Sequence, residues 1–182
     1  MSADVSPWTD YYRKTEGRPP RPTLLDALDR FAAPGFAVDL GSGDGRDTIE
    51  LLRRGWSVLA LDGEPDAIAR LLARPDLPSM RVLQTRLARF EEAEWPDADL
   101  VNASFSLFFC AADAFPGLWR RLVRSLKPGG RFAGQLLGDR DSWAGRRHAV
   151  VHDGPALERL LEGLIVERRD IEETDSVTPR GE

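Results

Sequence analysis

Hydrophobic positions change period several times along the chain, and each change predicts an element. In Thr23 to Phe31 (TLLDALDRF), Leu24, Leu25, Leu28 and Phe31 recur at helical spacing, with Thr23 as N-cap and Pro34-Gly35 as the stop. Phe36 to Leu40 (FAVDL) is a short apolar run that predicts a strand ending at a glycine cluster. The stretch RDTIELLRRG that follows predicts a helix closed by Gly55. Ser57 to Leu61 predicts a second strand, PDAIARLLAR a helix with Pro65 in its first turn, and Met80 to Gln84 (MRVLQ) a weaker third strand. A fourth strand begins at Asp99 and ends near Ser104. Phe115, Leu118, Trp119, Leu122, Val123 and Leu126 then mark one apolar helix face that stops at Lys127-Pro128-Gly129-Gly130. Arg131 to Leu137 predicts a fifth strand, Ala156 to Leu164 a helix with Leu157, Leu160, Leu161 and Leu164 on one face, and Ile165 to Glu173 a sixth strand.

Strand and helix alternate throughout. Parallel strands need crossover connections, and right-handed crossovers pack helices back onto the sheet, so the expected fold is α/β, doubly wound, with a mostly parallel sheet and helices on both faces. The length of 182 residues suits one domain, 1–182. Within it, residues 1–22 form a front segment that would act as a lid or cover, and 23–182 form the core. The Arg18-Pro19-Pro20-Arg21-Pro22 knot is too short to be an interdomain linker and reads as a rigid turn.

Charge narrows the function classes. With 25 basic against 30 acidic residues the net charge is −5, which leaves no basic field for the phosphates of a nucleic acid. The single Cys110 allows no internal disulfide and is compatible with a reducing cytosol, and no Cys/His cluster has zinc-ligand spacing, so no metal is expected. No stretch approaches the roughly 20 apolar residues of a membrane span, and Met1 to Thr9 lacks the character of a secretory signal. The expectation is a cytoplasmic protein, without nucleic-acid or membrane partners, acting on a small molecule as a monomer or homodimer.

The candidate chemistry begins at Asp39-Leu40-Gly41-Ser42-Gly43-Asp44-Gly45, three glycines at alternate positions between the first strand and its helix. Glycine lets the backbone turn tightly and approach a ligand, and the free N–H groups of the helix start favour an anionic group. The plain alternative is a tight strand-to-helix turn. Asp62 follows the second strand, where doubly wound folds place an acid to accept hydrogen bonds from ribose hydroxyls. Its plain alternative is a helix-entry residue before Gly63-Glu64-Pro65. A nicotinamide dinucleotide is disfavoured because Arg46 stands where G-x-G-x-x-G requires its third glycine, and ATP because no Lys-Ser or Lys-Thr follows the glycines.

AVDLGSGDGRDTIELLRRGWSVLALDGEP resembles the first two motifs of class I S-adenosylmethionine-dependent methyltransferases, ADLVNASFSLFFC their fourth-strand motif, and LKPGGRFAGQL their turn into strand five. The resemblance covers nearly the whole chain and implies a Rossmann-like fold. The front segment WTDYYRKTEGRPPRP is most similar to small bacterial members of the tellurite-resistance-like branch. The resemblance implies that S-adenosylmethionine is the cofactor, with Asp39, Gly41, Ser42, Gly43 and Gly45 receiving its methionine end, Asp62 its ribose, and Gly63 passing close to the adenosine. The family often holds the adenine with an acid and an apolar residue after strand three. Here the aligned pair is Arg86-Leu87, so Leu87 alone would pack on the ring. Asn102 and Ser104 fall where strand four ends beside the methionine moiety.

Trp8, Tyr11, Tyr12, Arg18 and Arg21 concentrate aromatic and cationic groups in a segment able to cover the open end of the sheet. An arginine fork suits a carboxylate, so Tyr12, Arg18 and Arg21 join the cofactor-binding candidates. The plain alternative is an ordinary amphipathic cover helix with solvated arginines. His148 and His152 belong to no recognisable catalytic arrangement and read as surface or packing residues. Cys110, after Leu107-Phe108-Phe109, reads as a buried thiol.

Methyl transfer from a sulfonium needs little acid–base machinery, since the donor is already activated and the protein mainly aligns acceptor, methyl carbon and sulfur in a dry site. No catalytic residue is singled out. The expected function is therefore S-adenosylmethionine-dependent methyl transfer to a small-molecule acceptor. The alternative is a non-catalytic S-adenosylmethionine-binding or scaffold protein of the same fold. Class I methyltransferases usually end with an antiparallel strand inserted between strands five and six. The Thr178-Pro179-Arg180-Gly181-Glu182 end has no such strand after it, so the final antiparallel strand is expected to be absent from this sequence.

Overall fold

The computed structural model describes residues 8–78, 82–145 and 149–174. Five strands, β1 (Phe36–Leu40), β2 (Ser57–Asp62), β3 (Leu83–Leu87), β4 (Ala98–Ala103) and β5 (Leu126–Gly134), form one sheet in the order β3-β2-β1-β4-β5, with every pairing parallel. Helices α1 (Thr9–Thr15) and α2 (Pro22–Leu28) precede the sheet. Helices α3 (Arg46–Arg53), α4 (Pro65–Leu72) and α5 (Phe115–Ser125) make the crossovers, and a separate two-residue pairing of β6 (Leu137–Gly138) with β7 (Val151–His152) leads into α6 (Gly154–Leu161).

Strand alternation explains the two layers of core. Val38, Leu40, Leu59, Leu61 and Val101 point to one face, where they pack with Phe115, Leu118, Trp119 and Leu122 of α5. Ala37, Val58 and Leu100 point to the other, against Leu24 and Leu28 of α2 and Leu51 and Leu52 of α3. Leu24, Leu51, Leu118 and Leu122 are fully buried, each contributing about 1.5–3 kcal/mol by leaving water. A sheet apolar on both faces is what parallel strands covered by helices require.

Several boundaries differ from the sequence expectation. The third strand lies at Leu83–Leu87 rather than 80–84; as an edge strand that is half exposed, it carries no strong apolar alternation to mark its register. α2 starts at Pro22 with Arg21 as its N-cap, because proline fits the first helical position, and Thr23 lies inside the helix. The Lys127-Pro128-Gly129-Gly130 turn is absorbed into β5 as an irregularity between the Ala98↔Leu126 and Leu100↔Arg131 pairings. Residues 165–173 are not a strand. Ile165 and Ile171 are 92% and 76% exposed, and this stretch is held by side-chain ion pairs instead of a ladder, Glu167 with Arg131 at 2.9 Å and Arg168 with Asp26 at 2.9 Å. Among the described residues the main sheet therefore has five strands and no antiparallel member.

The strand order places a topological switch point between β1 and β4, whose carboxyl ends diverge toward opposite neighbours. Open α/β sheets bind ligands there. Register brings Asp39 of β1 directly opposite Asn102 of β4, and Asp62 ends β2 on the neighbouring side.

Candidate cofactor-binding cleft

The loop after β1 is built around three glycines in left-handed backbone, two of which have no room for a side chain. Gly41, Gly43 and Gly45 all have positive φ, at +71°, +55° and +86°, a region L-residues enter only at a cost. A Cβ on Gly41 would fall well under 3.0 Å from Ser106 Cβ, and one on Gly45 would strike Leu71. Gly45 is the N-cap of α3 and faces the core rather than the cleft. The loop is tied to β2 by hydrogen bonds from Gly41 N and Ser42 N to Leu61 O, at 2.8 and 3.0 Å.

Asp62 fastens the same loop from the side. Its Oδ2 accepts from Gly43 N at 2.8 Å and its Oδ1 from Glu64 N at 2.9 Å, leaving the second lone pair of each oxygen for another donor. Burial pushes this carboxyl above its usual value, and the Glu64 and Gly43 N–H groups oppose the shift.

Behind the loop lies a buried acidic pair. Asn102, fully buried, donates from Nδ2 to Asp39 Oδ1 at 2.8 Å and to Asp47 Oδ2 at 3.1 Å, while the Thr48 hydroxyl donates to Asp39 Oδ2 at 2.6 Å. Asp47 Oδ1 accepts from Arg21 N at 2.9 Å. Burial and then the charge of Asp47 push the Asp39 carboxyl up to about 7, against the pull of the Thr48 and Asn102 hydrogen bonds. Two carboxylates held by one neutral amide, with no guanidinium or ammonium ion-paired to either among the described residues, suit a cationic ligand group.

The Asp39 shift has a definite sign. The folded value lies above the ordinary carboxylate value, so between about pH 4 and 7 the native state binds more protons than the unfolded chain. This contribution is greatest at the acid end and is lost as pH rises through about 7. In Asp39→Asn the amide can accept from Asn102 through its oxygen and donate to the Thr48 hydroxyl oxygen through its nitrogen. Melting curves from pH 5 to 8 should show parent stability falling relative to this variant as pH rises. A constant difference across the range would contradict the assignment.

Residues 8–22 of the front segment run along this cleft. Arg21 is extended, as a residue before proline prefers, and its N–H is fixed on Asp47; the Arg46 Nε donates to Pro19 O. Tyr12 is 5% exposed, and its ring lies beside Gly43, where a Cβ would meet it at 3.4 Å. Burial first, then the charges of Asp62, Glu64, Asp44 and Asp66, push its phenol well above the usual value, so it remains a hydrogen-bond donor and not a base. Trp8 meets Phe109 at 5.0 Å, and Phe109 meets Trp143 at 5.6 Å, forming an aromatic wall. After β4, Phe105 takes φ +54°, with its N–H on Gln135 Oε1 at 2.9 Å and the Arg21 guanidinium 4.3 Å over its ring. Strained non-glycine backbone of this kind clusters at ligand sites.

Of the residues singled out by sequence, Tyr12, Arg18, Arg21, Asp39, Gly41, Ser42, Gly43, Asp62, Gly63 and Ser104 line one open cleft. Gly45, Leu87 and Asn102 do not. Gly45 serves packing; Asn102 is screened by the carboxylates it orients; Leu87 is 56% exposed at the end of β3. Ala88 and Arg89 line the cleft beside Gly63 instead, set by the Ala88 N to Asp62 O hydrogen bond at 2.9 Å. Asp47, Arg46, Phe105 and Ser106 were not apparent from sequence, although an acid two residues past the glycine loop was the available signal for Asp47. His152 packs on Phe115 at 5.0 Å, and burial lowers its pKa. Cys110 is buried, its thiol pushed up to about 11 by burial. His148 lies outside the described residues.

Comparison with known proteins falls on this same region. The methyltransferase domain family profile matches residues 37–130, just over half of the chain, spanning β1, the glycine loop, Asp62, β4 and α5. The chain belongs to the methyltransferase domain family. It is 36% identical over 128 residues to a trans-aconitate 2-methyltransferase of Acidovorax sp. (strain JS42), covering 69% of this chain and 47% of the relative. The chain thus spans about half the length of the curated relatives it matches. Among solved structures it is similar to TehB from Haemophilus influenzae (18% identity, TM-score 0.65, 83% of this chain and 53% of that one). It is also similar to the 1,6-didemethyltoxoflavin-N1-methyltransferase of Burkholderia thailandensis, solved with 1,6-didemethyltoxoflavin and S-adenosylhomocysteine (24% identity, TM-score 0.60, 78% and 64%). Both structural likenesses are of fold. Among the described residues, no helix of this methyltransferase domain is long and apolar enough to cross a membrane.

Proposed function

We propose that the chain binds S-adenosylmethionine in the cleft at the ends of β1, β2 and β4 and transfers its methyl group to a small-molecule acceptor, leaving S-adenosylhomocysteine. The observation that carries this reading is the pairing of a three-glycine left-handed loop with a carboxylate that already holds that loop, Asp62 on Gly43 N. Asp62 keeps an outward lone pair on each oxygen for the two ribose hydroxyls. The Asp39/Asp47 pair suits an ammonium, and the cofactor's charge would draw Asp39 into its ionised form. Arg18 or Arg21 would meet the methionine carboxylate. Ala88 and Arg89 take the place beside Gly63 where the adenine would lie.

When bound, the cofactor supplies a methyl group on a sulfonium, an activated donor. The protein's part is then orientation and exclusion of water. Tyr12 and the Trp8–Phe109–Trp143 wall cover the cleft from one side, and the proline knot limits the entropy lost on closing. Names of relatives support a small acceptor: trans-aconitate for the Acidovorax enzyme and 1,6-didemethyltoxoflavin for the Burkholderia enzyme. The net charge of −5 supports the same reading against nucleic acid. Residues 1–182 are read as one domain whose residues 1–22 act as lid, acting in the cytoplasm as a monomer or homodimer. The tellurite-resistance-like branch is the proposed subgroup, on the character of the front segment.

Turnover tests the function: the purified chain, incubated with S-adenosylmethionine and a panel of small acceptors, should form S-adenosylhomocysteine in an acceptor-dependent way. Cofactor binding without product from any acceptor would favour the non-catalytic binder. The lid is tested by amide exchange. Residues 8–22 should be protected on addition of S-adenosylhomocysteine, and Arg18→Ala or Arg21→Ala should bind it about tenfold or more weakly if that side chain holds the carboxylate. Unchanged protection together with unchanged affinity in both variants would leave the segment a structural cover.

A further inference from the structure

Nine arginines line the cleft. Six of them, Arg30, Arg89, Arg131, Arg140, Arg168 and Arg169, stand within ion-pair distance of a carboxylate. Arg18, Arg21 and Arg46 have no such partner among the described residues, and all three line the cleft beside the glycine loop. Arg46 is fixed by its Nε on Pro19 O, while its Nη1 is buried and makes no hydrogen bond among the described residues. Burial first, and next the charge of Arg21, lower the Arg46 guanidinium below its usual value; the Asp47 carboxylate opposes this and Arg18 adds to it. A buried N–H without an acceptor and like charges brought together both cost stability, and a bound anion relieves both.

One carboxylate does not account for three forks. The methionine end of the cofactor offers a single carboxylate, which one guanidinium holds through two parallel N–H···O bonds. The others line the same cleft close to Asp47, which accepts from the Arg21 backbone N–H and whose charge reaches Arg46, on the side where the methionine moiety and the transferable methyl would lie. Arg21 is further aimed by its stack on the strained Phe105. We infer that the Arg18/Arg21/Arg46 cluster binds a second, acceptor-borne carboxylate, so that the methyl acceptor is a small polycarboxylate anion. This rests on the proposed methyl-transfer reading and specifies its substrate class. Planar guanidinium forks match carboxylates in geometry as well as charge, and rotating ammonium groups would not give the same selection.

The test uses propane-1,2,3-tricarboxylate as a non-reacting probe, titrated calorimetrically into the whole chain with and without saturating S-adenosylhomocysteine, against its trimethyl ester and inorganic phosphate. The tricarboxylate should bind at least about tenfold more tightly than either control, and its affinity should fall with added salt. Arg46→Gln, checked for folding by melting, should weaken the tricarboxylate by about tenfold or more while S-adenosylhomocysteine affinity is retained; parent-like tricarboxylate affinity in this variant overturns the inference. Equal binding of acid and ester overturns the inference without need of any variant, and so does phosphate binding as tightly as the tricarboxylate. Failure to bind S-adenosylhomocysteine, measured separately, would count against the methyl-transfer reading itself.

Discussion

Gly41→Ala should melt far below the parent. The residue has φ +71°, and a Cβ there would sit well under 3.0 Å from Ser106 Cβ. Ser106 has little room to retreat, because its hydroxyl donates to Leu40 O at 2.6 Å and its carbonyl accepts from Phe109 N at 3.0 Å. Left-handed backbone costs an alanine about 1–2 kcal/mol and overpacking of a filled site about 1–3 kcal/mol, so the sum is roughly 2–5 kcal/mol. For a domain of this size that lowers Tm by roughly 5–15 °C. Gly43→Ala behaves differently: its Cβ would meet only the Tyr12 ring at 3.4 Å, and its φ is +55°. It should fold, with a smaller loss of Tm, and lose cofactor affinity because the methyl group projects toward the cleft. Differential scanning calorimetry of both variants separates the cases. Parent-like melting of Gly41→Ala would contradict the packing described for this loop.

Asp62→Asn should bind S-adenosylhomocysteine at least about tenfold more weakly, the loss of charge-assisted hydrogen bonds of about 1.5–3 kcal/mol. The structure adds a second cause. Both carboxylate oxygens already accept backbone N–H groups, from Gly43 and Glu64. An amide has one accepting oxygen, so its NH2 must confront one of those donors and loosen either the glycine loop or the entry to α4. The variant should therefore also melt lower, by a few degrees. Calorimetric titration and a melting curve on the same sample check both effects; parent-like affinity would remove Asp62 from the site.

The parts of the site that were legible in the sequence are those set by local chemistry. The loop from Asp39 to Gly45 and the acid ending β2 follow from a strand running into glycines and from a fixed position after a strand. α5 was readable nearly to its ends because one apolar face runs through Phe115, Leu118, Trp119 and Leu122. What was not legible depends on pairing between distant segments. Asn102 joins Asp39 and Asp47 only because β1 and β4 are in register across 63 residues, and nothing near Asp47 in the chain distinguishes it from an acid favouring a helix N-terminus. Leu87 was misplaced relative to the cleft because β3 runs three residues later than its apolar run suggested, so Ala88 and Arg89 reach the place beside Gly63. Ile165, Val166 and Ile171 have β-branched character but no neighbouring strand among the described residues, and their charged neighbours pair with Arg131 and Asp26 instead.

The contacts of residues 8–22 also emerge only in three dimensions. Thr9 reaches Asp66 at the start of α4, Tyr12 covers Gly43, and Arg21 is pinned to Asp47 at the start of α3. Each contact is with a different element at the same end of the sheet. An amphipathic helix followed by prolines gives no hint of these partners.

The most direct measurement is a calorimetric titration of the purified chain with S-adenosylhomocysteine and, separately, with NAD. A loop shaped by Gly41 and Gly43, an acid at Asp62 and a buried Asp39/Asp47 pair predict one-to-one binding of S-adenosylhomocysteine and none of NAD. Binding of NAD in preference, or of neither ligand, would contradict the account.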